Sequence, residues 1–426
     1  MELEAIGKRP RASSGGSSSS LASDRLSSLP DCLIHHIMSF LKARQVVQTC
    51  VLSTRWRHLW RSVPCLDIDQ EEFKTAGPNR DEEKEWHDFA DFTDHLLIPN
   101  NISIAHLDTF QLQLSVSKYP YDKDKQAARW IRHGIKYSGQ DPGIQCMKLN
   151  SASWRLKRLH LSNLYLDDSF MNHISSGCQY LEDLELKSCN CSFHEITSHT
   201  MKNLILKGCQ CYALSVITSP MLNSLIINGG WFAFISLRVI APAVAYLLLD
   251  VSAYSFRGCV SFDEMSSLAE ASIFLRNCVR SELSKDQFKL LCSLSNVTNL
   301  VLSGFQTMVI GEEFPEFQNL RTLLLEKCDL SDNFQMLGHF LQHSPNLEKL
   351  TLDHCKFSKD PKRKKGNVKS NKAYLNQFDV RCKNLKLTKI IYNDDDAQKL
   401  LNLLFSISSD LPKNNIKFTK VGPGHP

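Results

Sequence analysis

Two pairs of closely spaced cysteines are the side chains of this sequence best suited to metal chemistry. Cys189 and Cys191 form one Cys-x-Cys pair, and Cys209 and Cys211 form the other. Cysteine thiolates are good zinc ligands, but structural zinc sites usually keep roughly two to four residues between the paired cysteines. A repeat described below also accounts for one cysteine of each pair, so we expect no metal ion here.

The other reactive side chains form no recognisable catalytic set. The sequence lacks a phosphate-binding GxxxxGK[ST] loop, a GxSxG nucleophile turn, an HExxH zinc helix and the glycine pattern of dinucleotide-binding folds. Its histidines are scattered, and none stands beside a cysteine or serine in a catalytic arrangement. We therefore expect a protein that is not an enzyme and that needs no cofactor.

Composition predicts a mainly globular chain of two or three domains. Of its 426 residues, 42% are hydrophobic and 22% are charged, and the formal net charge is +5. Such a small charge makes nucleic acid an improbable main partner. No apolar run reaches the length of about eighteen residues that a membrane helix requires. Fifteen cysteines without a secretory signal favour reduced, buried thiols and a location in the nucleus, the cytoplasm or both.

The densest apolar pattern lies in residues 24–67 and predicts three short helices in succession. One helical face of the first contains Leu33, Ile34, Ile37, Met38 and Leu41. A second helix is predicted at 44–52, and Ser53 or Thr54 can cap a third that carries Trp56 and Trp60. So small a unit buries little surface by itself, and we expect part of its apolar surface to require a partner.

This stretch resembles the F-box, in the form found in plant F-box proteins with leucine-rich repeats. The resemblance rests on the Leu29-Pro30 pair, Ile37, the Phe40-Leu41 pair, the Val46-Val47 pair, Cys50-Val51-Leu52-Ser53, Trp56-Arg57 and Trp60. It implies docking to a Skp1-like adaptor and, through the adaptor, to a cullin. The residues it assigns to that interface, or to the packing beneath it, are Leu29, Pro30, Ile37, Leu41, Val46, Val47 and Trp56. The alternative is a small helical cap on the next domain.

A short pattern, L-x-x-L-x-L with cysteine often three residues later, recurs through the rest of the chain. Successive copies between 181 and 268 begin 20, 21, 22 and 24 residues apart, which is the period of leucine-rich repeats. Each x-L-x-L predicts a short strand, with variable helices or loops between strands. The predicted fold class is therefore α/β: an N-terminal three-helix F-box followed by a leucine-rich-repeat solenoid with a curved parallel sheet.

The predicted boundaries follow from these patterns. They are a disordered Ser/Gly-rich leader at 1–23, the F-box at 24–67, a joining helical segment at 68–105, the solenoid at 106–383 and a C-terminal cap at 384–426. Residues 86–97 of the joining segment predict an amphipathic helix that packs on the first repeat. The C-terminal segment loosely resembles the FBD region that closes many plant F-box proteins, and more securely predicts the terminal cap of the solenoid.

The concave face of the solenoid carries a predicted partner site. The middle residue of L-x-L points to that face, and on the central strands it is Ile205, Ile226, Leu248, Phe274, Val301 or Leu324. Strands about 4.8 Å apart would align these residues in an apolar strip roughly 25 Å long. A target protein or a small ligand could dock there, and equally the tail or loops of the chain could cover the strip.

A basic loop at 359–372 interrupts the last long repeat interval. Its Lys362, Arg363, Lys364 and Lys365 resemble a nuclear import signal, and a solvated insertion is the favoured alternative.

Together these features predict the substrate-recruiting subunit of an SCF-type (Skp1–cullin–F-box) ubiquitin ligase. The F-box would bind the Skp1-like adaptor, the repeats would bind an unidentified target protein, and the chain would contribute proximity rather than a catalytic group. Two alternatives remain open: a leucine-rich-repeat scaffold that acts without ubiquitin transfer, and a small-ligand receptor.

Overall fold

The computed structural model describes residues 28–77, 80–97, 107–115, 120–135, 155–232, 236–252, 259–263, 265–276, 284–305, 314–330, 334–356, 383–392 and 415–420. The leader at 1–23 and the basic loop at 359–372, with its four-residue import signal, lie outside the described residues and stay predictions.

Three short helices open the described chain. They are α1 (Asp31–Met38), α2 (Ala43–Gln48) and α3 (Trp56–Leu59). Pro30 precedes α1 with a φ of −57°, close to the value of a first helical turn. The second helix is shorter than predicted because the chain continues from Gln48 as a 3₁₀ turn, Thr49–Val51. The N-cap position of α3 is Arg55 rather than Ser53 or Thr54, although the Oγ atom of Ser53 accepts a hydrogen bond from the Trp56 backbone N–H at 3.4 Å.

A parallel sheet of thirteen strands follows, and this confirms the predicted solenoid. In spatial order the strands are β1 (Cys65–Asp69), β2 (Thr109–Gln113), β3 (Arg158–Ser162), β5 (Asp183–Lys187), β8 (Asn203–Lys207), β11 (Ser224–Asn228), β14 (Tyr246–Ser252), β16 (Glu270–Arg276), β17 (Asn299–Ser303), β18 (Thr322–Glu326), β19 (Lys349–Asp353), β20 (Leu387–Tyr392) and β21 (Asn415–Lys420). Alternate leucines, such as Leu204 and Leu206, are fully buried in one continuous core. The residues between them lie on the opposite side, hereafter the open face.

The sheet extends beyond the predicted solenoid at both ends. Strand β1 lies in residues assigned to the F-box and the joining segment, and β20 and β21 lie in the predicted C-terminal cap. Val63, Leu66 and Ile68 keep the spacing of L-x-x-L-x-L, and all three are buried. β-Branched residues replace two of the three leucines, which makes the repeat pattern weak in the sequence.

Two further parallel sheets of four strands form where only helices or loops were expected. One contains β4 (Tyr165–Leu166), β6 (Asn190–Cys191), β9 (Gln210–Cys211) and β12 (Trp231–Phe232). The other contains β7 (Glu195–Thr197), β10 (Val216–Thr218), β13 (Ser236–Ile240) and β15 (Cys259–Asp263). Most of these strands are two or three residues long, too short to leave a clear alternating pattern in the sequence.

Longer helices lie between some of the strands. They are α4 (Glu82–Leu97), α5 (Pro120–Gly134), α6 (Asp168–Gly177), α7 (Ser284–Ser293) and α8 (Gln335–His343). Helix α4 confirms the predicted amphipathic helix and buries Phe89 against Trp130 of α5, with ring centroids 5.4 Å apart. Within the described part of the chain, every helix is too short or too polar to cross a membrane.

Candidate partner-binding surfaces

Helix α1 is apolar on two faces, and only one of them is covered. Ile34 and Met38 lie one turn apart and are fully buried, whereas Leu33 and Ile37 lie on another face and are exposed. The buried face completes a small core with Val46, which packs the three helices together. An apolar helix face without a covering layer indicates a partner surface.

Three more large apolar side chains of the same helical unit are also exposed. Phe40, just beyond α1, is 76% exposed, and Val51, at the end of the 3₁₀ turn, is 82% exposed. Leu52 follows and is also exposed. We name the set formed by Leu33, Ile37, Phe40, Val51 and Leu52 the α1 patch.

The residues predicted to bind the adaptor divide by exposure. Pro30 and Ile37 are exposed, and Leu29, Leu41 and Val47 are half-buried. Leu29 and Leu41 pack against the core of the three helices, whereas Val47 packs against the core of the solenoid. Pro30 and Ile37 are therefore the predicted residues best placed for direct contact with a partner.

Val46 and Trp56 occupy a different position. They are only 2% and 3% exposed and belong to the core of the three helices. Of the two places that the resemblance allowed, the interface or the packing beneath it, both side chains lie in the packing. Their role is to support the α1 patch from beneath.

Four members of the α1 patch were not among the predicted binding residues: Leu33, Phe40, Val51 and Leu52. The sequence contained a usable signal for Leu33, since a helix with apolar residues on two faces can bury only one of them in so small a unit. Phe40, Val51 and Leu52 lie in turns, where helical periodicity carries no information about exposure.

The helical unit is fastened to the first strand of the sheet by charged groups. The Nζ atom of Lys42 lies 2.9 Å from a carboxylate oxygen of Asp67 and 3.1 Å from one of Asp69. Burial lowers the pKa of Lys42, but the hydrogen bonds and charges of the two carboxylates outweigh it and raise that pKa above 10.5. At Asp67 burial dominates, and the pKa of this carboxyl is raised above 3.8 despite Lys42.

Helix α2 adds two further links to the solenoid. The Arg44 guanidinium donates a hydrogen bond to the Glu72 backbone carbonyl and lies 4.6 Å from the centre of the Phe73 ring. Ala43, at the start of α2, is buried in the solenoid core together with Leu66. Ion pairs, a cation–π contact and apolar packing thus join the two parts of the chain.

The middle residues of the parallel strands form a continuous row across the open face. Neighbours in this row, paired directly in the register, are Glu185, Ile205, Ile226, Leu248, Ser272, Val301, Leu324 and Thr351. Five of the six residues predicted for the apolar strip, Ile205, Ile226, Leu248, Val301 and Leu324, lie in the row and are half-buried. We name these five residues the strip.

Phe274 does not occupy the predicted place. Ser272 fills the row on β16, and Phe274 pairs instead with Asp250 and Ser303 in the next row. Ala271 and Ile273 pair with Leu247 and Leu249, so β16 keeps the frame of its neighbours, and the prediction placed the row two residues too far along this strand. Phe274 still faces the open side, two residues from Ser272, and borders the strip.

Both ends of the same row are polar. Before Glu185 the row contains Asp67, Gln111 and His160. Beyond Thr351 it contains Lys389 and Lys417. The apolar strip is therefore a bounded segment of the open face, with polar and charged residues at either side.

The repeat cysteines turn into the core, as expected. The Sγ atoms of Cys189, Cys209, Cys328 and Cys355 donate to the carbonyls of Leu161, Leu186, Leu302 and Leu325 at 3.5, 3.2, 3.4 and 3.3 Å. Cys191 and Cys211 are also buried and pair across β6 and β9. Among the residues with described positions, no cluster of cysteine, histidine and carboxylate side chains is arranged to hold a metal ion.

A cleft of about 780 Å³ lies between α5 and α6. Ile131, Ile135 and Phe170 contribute apolar surface, and Arg132 and His173 contribute charged or polar groups. No residue of the α1 patch or the strip lines it.

Two protein families match parts of this chain. The F-box domain family matches residues 26–67. A repeat family described as FBD-associated F-box protein At5g56370, LRR repeats, matches residues 145–241.

Relatives that match most of the chain are plant proteins. The meiotic F-box protein MOF of Oryza sativa subsp. japonica is 30% identical over 427 residues, which covers 92% of this chain and 84% of the relative. A putative FBD-associated F-box protein of Arabidopsis thaliana, At5g53635, is 28% identical over 372 residues, 77% of this chain and 79% of the relative. The F-box/LRR-repeat protein At5g02910 of the same plant is 27% identical over 362 residues, 79% of this chain and 73% of the relative.

Proposed function

The chain belongs to the plant family of F-box proteins with leucine-rich repeats, and on this premise we propose that it recruits substrates to an SCF-type ubiquitin ligase. Its F-box binds a Skp1-like adaptor, which links it to a cullin. Its repeats bind a target protein. The chain itself transfers no ubiquitin and places target lysines near an enzyme that does.

The α1 patch carries the proposal. The F-box has a complete core of its own, and yet five large apolar side chains remain exposed on its surface. Water makes such exposure unfavourable, at about 25 cal/mol for each Å² of apolar surface left uncovered. An adaptor that covers the patch recovers this free energy, and that supports the adaptor as the partner of this surface.

The contacts that join the F-box to the sheet support the second half of the proposal. An adaptor bound at the α1 patch and a target bound on the open face keep a constant relative orientation if the joint is rigid. Proximity increases a reaction rate only when the reacting groups are held in a narrow range of positions. The contacts of Lys42 and Arg44 with the first repeat supply such a constraint.

Co-purification of the full chain with a plant Skp1-like adaptor tests the proposal. We expect Phe40→Asp to lose about 2 kcal/mol or more of binding free energy, roughly thirtyfold in affinity, because a charge would be buried at the interface. Met221→Asp is the matched control, since Met221 is exposed and apolar but lies outside the F-box. Leu29→Ala with Pro30→Ala should also weaken the complex.

The outcomes separate the candidate functions. A folded native chain that binds no adaptor would overturn the proposal and leave a scaffold or a ligand receptor. Adaptor binding without ubiquitin transfer to any bound protein, in a reconstituted complex with cullin and a ubiquitin-loaded enzyme, would favour the scaffold. Equal binding by Phe40→Asp and the native chain would remove the α1 patch from the interface.

We also propose that the protein acts in the nucleus, the cytoplasm or both. The import-like residues Lys362, Arg363, Lys364 and Lys365 motivate the nuclear part of this proposal. A fluorescent fusion should leave the nucleus when these four residues are changed to alanine. An unchanged distribution would show that the basic loop is not an import signal.

A further inference from the structure

Lysines face each other across neighbouring strands at two places on the open face. Lys187 of β5 pairs directly with Lys207 of β8, and Lys389 of β20 pairs directly with Lys417 of β21. Like charges that stand directly opposite each other on adjacent strands destabilise a sheet. A negatively charged partner that binds both lysines of a pair would relieve this repulsion. Such a partner would explain why the fold retains two lysine pairs on one face.

The four lysines differ from two arginines of the same sheet, Arg158 and Arg276, because they have no internal counter-charge. Arg158 lies 3.2 Å from Asp183, and Arg276 is paired with Asp250. In the described part of the chain, no carboxylate forms an ion pair with Lys187, Lys207, Lys389 or Lys417.

The carboxylates on the open face near Lys389 and Lys417 already form ion pairs with other residues. Glu326 lies 3.0 Å from the ammonium of Lys327, and Asp353 is paired with His354. Asp353 pairs in the register with Ile391, which lies two residues beyond Lys389 on β20. The Asp353 carboxylate is paired with His354 and not with Lys389. The positive charge at this end of the face is therefore available to a partner.

The two lysine pairs stand at opposite ends of the strip. Lys207 lies on the same strand as Ile205, two residues further along. Lys389 lies in the same row as Leu324, two strands beyond it. With about 4.8 Å between strands, the strip is about 24 Å long, and the two lysine pairs are about 34 Å apart.

From this arrangement we propose that the open face recognises an apolar segment of the target that is flanked by acidic residues at both ends. The inference rests on the proposed function, because it assigns the occupant of the target-binding face. Ile226, Leu248 and Val301 cover the apolar centre of the segment. Lys187 with Lys207 binds the carboxylates at one end, and Lys389 with Lys417 binds those at the other.

Each part of the surface has a different physical task. Burial of the apolar centre supplies most of the affinity, because rim charges on exposed side chains contribute little net free energy. The lysine pairs steer the acidic ends into place and reject basic segments, since like charges brought together are repelled. Apolar segments with neutral or basic flanks are then poor targets although their centres fit.

Selection from a random peptide library tests this inference on the full chain in complex with its Skp1-like adaptor. A length of roughly 24 residues suffices, since 34 Å corresponds to about 10 extended or about 23 helical residues. The native chain is compared with two double variants, Lys187→Glu with Lys207→Glu and Lys389→Glu with Lys417→Glu. The control is Lys84→Glu with Lys356→Glu, two exposed lysines that are not on the open face.

We expect the native chain and the control to select apolar peptides with Asp or Glu at both ends. Each double variant should select peptides that carry basic instead of acidic residues at one end only. A synthetic peptide from the native selection should bind about tenfold or more weakly to either variant. Peptides without acidic ends, or the same peptides from the native chain and both variants, would overturn the inference.

Adaptor co-purification on the same samples keeps the two proposals apart. If the adaptor binds and the selected peptides lack acidic ends, the inference fails and the ligase function stands. If acidic-ended peptides are selected but the adaptor never binds, the ligase function fails and the binding surface stands. Circular dichroism of every variant shows that the comparison is made between folded chains.

Discussion

The Nζ atom of Lys42 lies 2.9 Å from the carboxylate of Asp67, which joins the F-box to the first strand of the repeat sheet. The same ammonium is 3.1 Å from Asp69, so one cation neutralises two carboxylates that stand on the same face of β1. Lys42 is partly exposed, whereas Asp69 is almost fully buried. The joint is therefore a contact between a surface cation and acids at the edge of the solenoid core.

Removing the ammonium of Lys42 should weaken this joint. We expect Lys42→Met to lower the free energy of unfolding by about 1–2 kcal/mol, because two neighbouring carboxylates would lose their shared partner. Denaturant unfolding measures the change, and Lys84→Met on the exposed side of α4 is the control. A Lys42→Met chain as stable as the native one would mean that apolar packing alone, through Ala43 and Val47, holds the joint.

Substitutions at two adjacent isoleucines on β11 should affect the free energy of unfolding to different extents. Ile227 is buried in the core, and Ile227→Ala should cost about 2–5 kcal/mol of unfolding free energy through the cavity it leaves. Ile226 points to the open face, and Ile226→Asp should change stability by less than about 1 kcal/mol while it abolishes target binding. Thermal unfolding compares the two. Equal losses would show that the strip is covered by the chain itself.

Asp94 should stabilise the contact between α4 and α5. It accepts hydrogen bonds from the Trp130 indole and the Arg129 guanidinium, both at 2.7 Å. We expect Asp94→Ala to cost about 1–3 kcal/mol, because the buried indole N–H would have no acceptor, and Asp94→Asn to cost less. Chemical unfolding of both variants, measured side by side, tests the order.

The same carboxylate should make stability depend on pH. Burial raises the pKa of Asp94, but the hydrogen bonds from Trp130 and Arg129 outweigh it and hold that pKa below 3.8. A depressed folded pKa contributes stability above pH 3.8, and this contribution is lost as pH falls through the folded value. The difference between the native chain and Asp94→Ala should therefore shrink in strong acid. A constant difference from neutral to strongly acidic pH would contradict this account.

Thiol labelling should distinguish two cysteines of the native chain. Cys32 on α1 is exposed, whereas Cys178 after α6 is buried, and burial raises the pKa of its thiol to about 12. At pH 8 only about one Cys178 thiol in ten thousand would be ionised, and the thiolate is the reactive form. A maleimide should label Cys32 rapidly and Cys178 only after unfolding, as peptide mapping can show. Similar rates would mean that α6 opens in the native state.

The sequence alone determined the elements with local patterns. The three helices and the L-x-L strands follow from the spacing of apolar residues, since residues three or four apart share a helix face and residues two apart share a strand face. That is why α4, the parallel sheet and five members of the strip were predictable.

Only the tertiary structure decided how those elements meet. The exposure of Phe40 and the burial of Trp56 depend on how three helices pack, and the place of Ser272 in the row depends on strand register. The contact of Lys42 with Asp67 joins residues 25 positions apart, and Lys187 faces Lys207 from 20 positions away. Which residues pair across such separations depends on how whole strands align when they bury their apolar faces in a common core. No short stretch of the sequence contains this alignment.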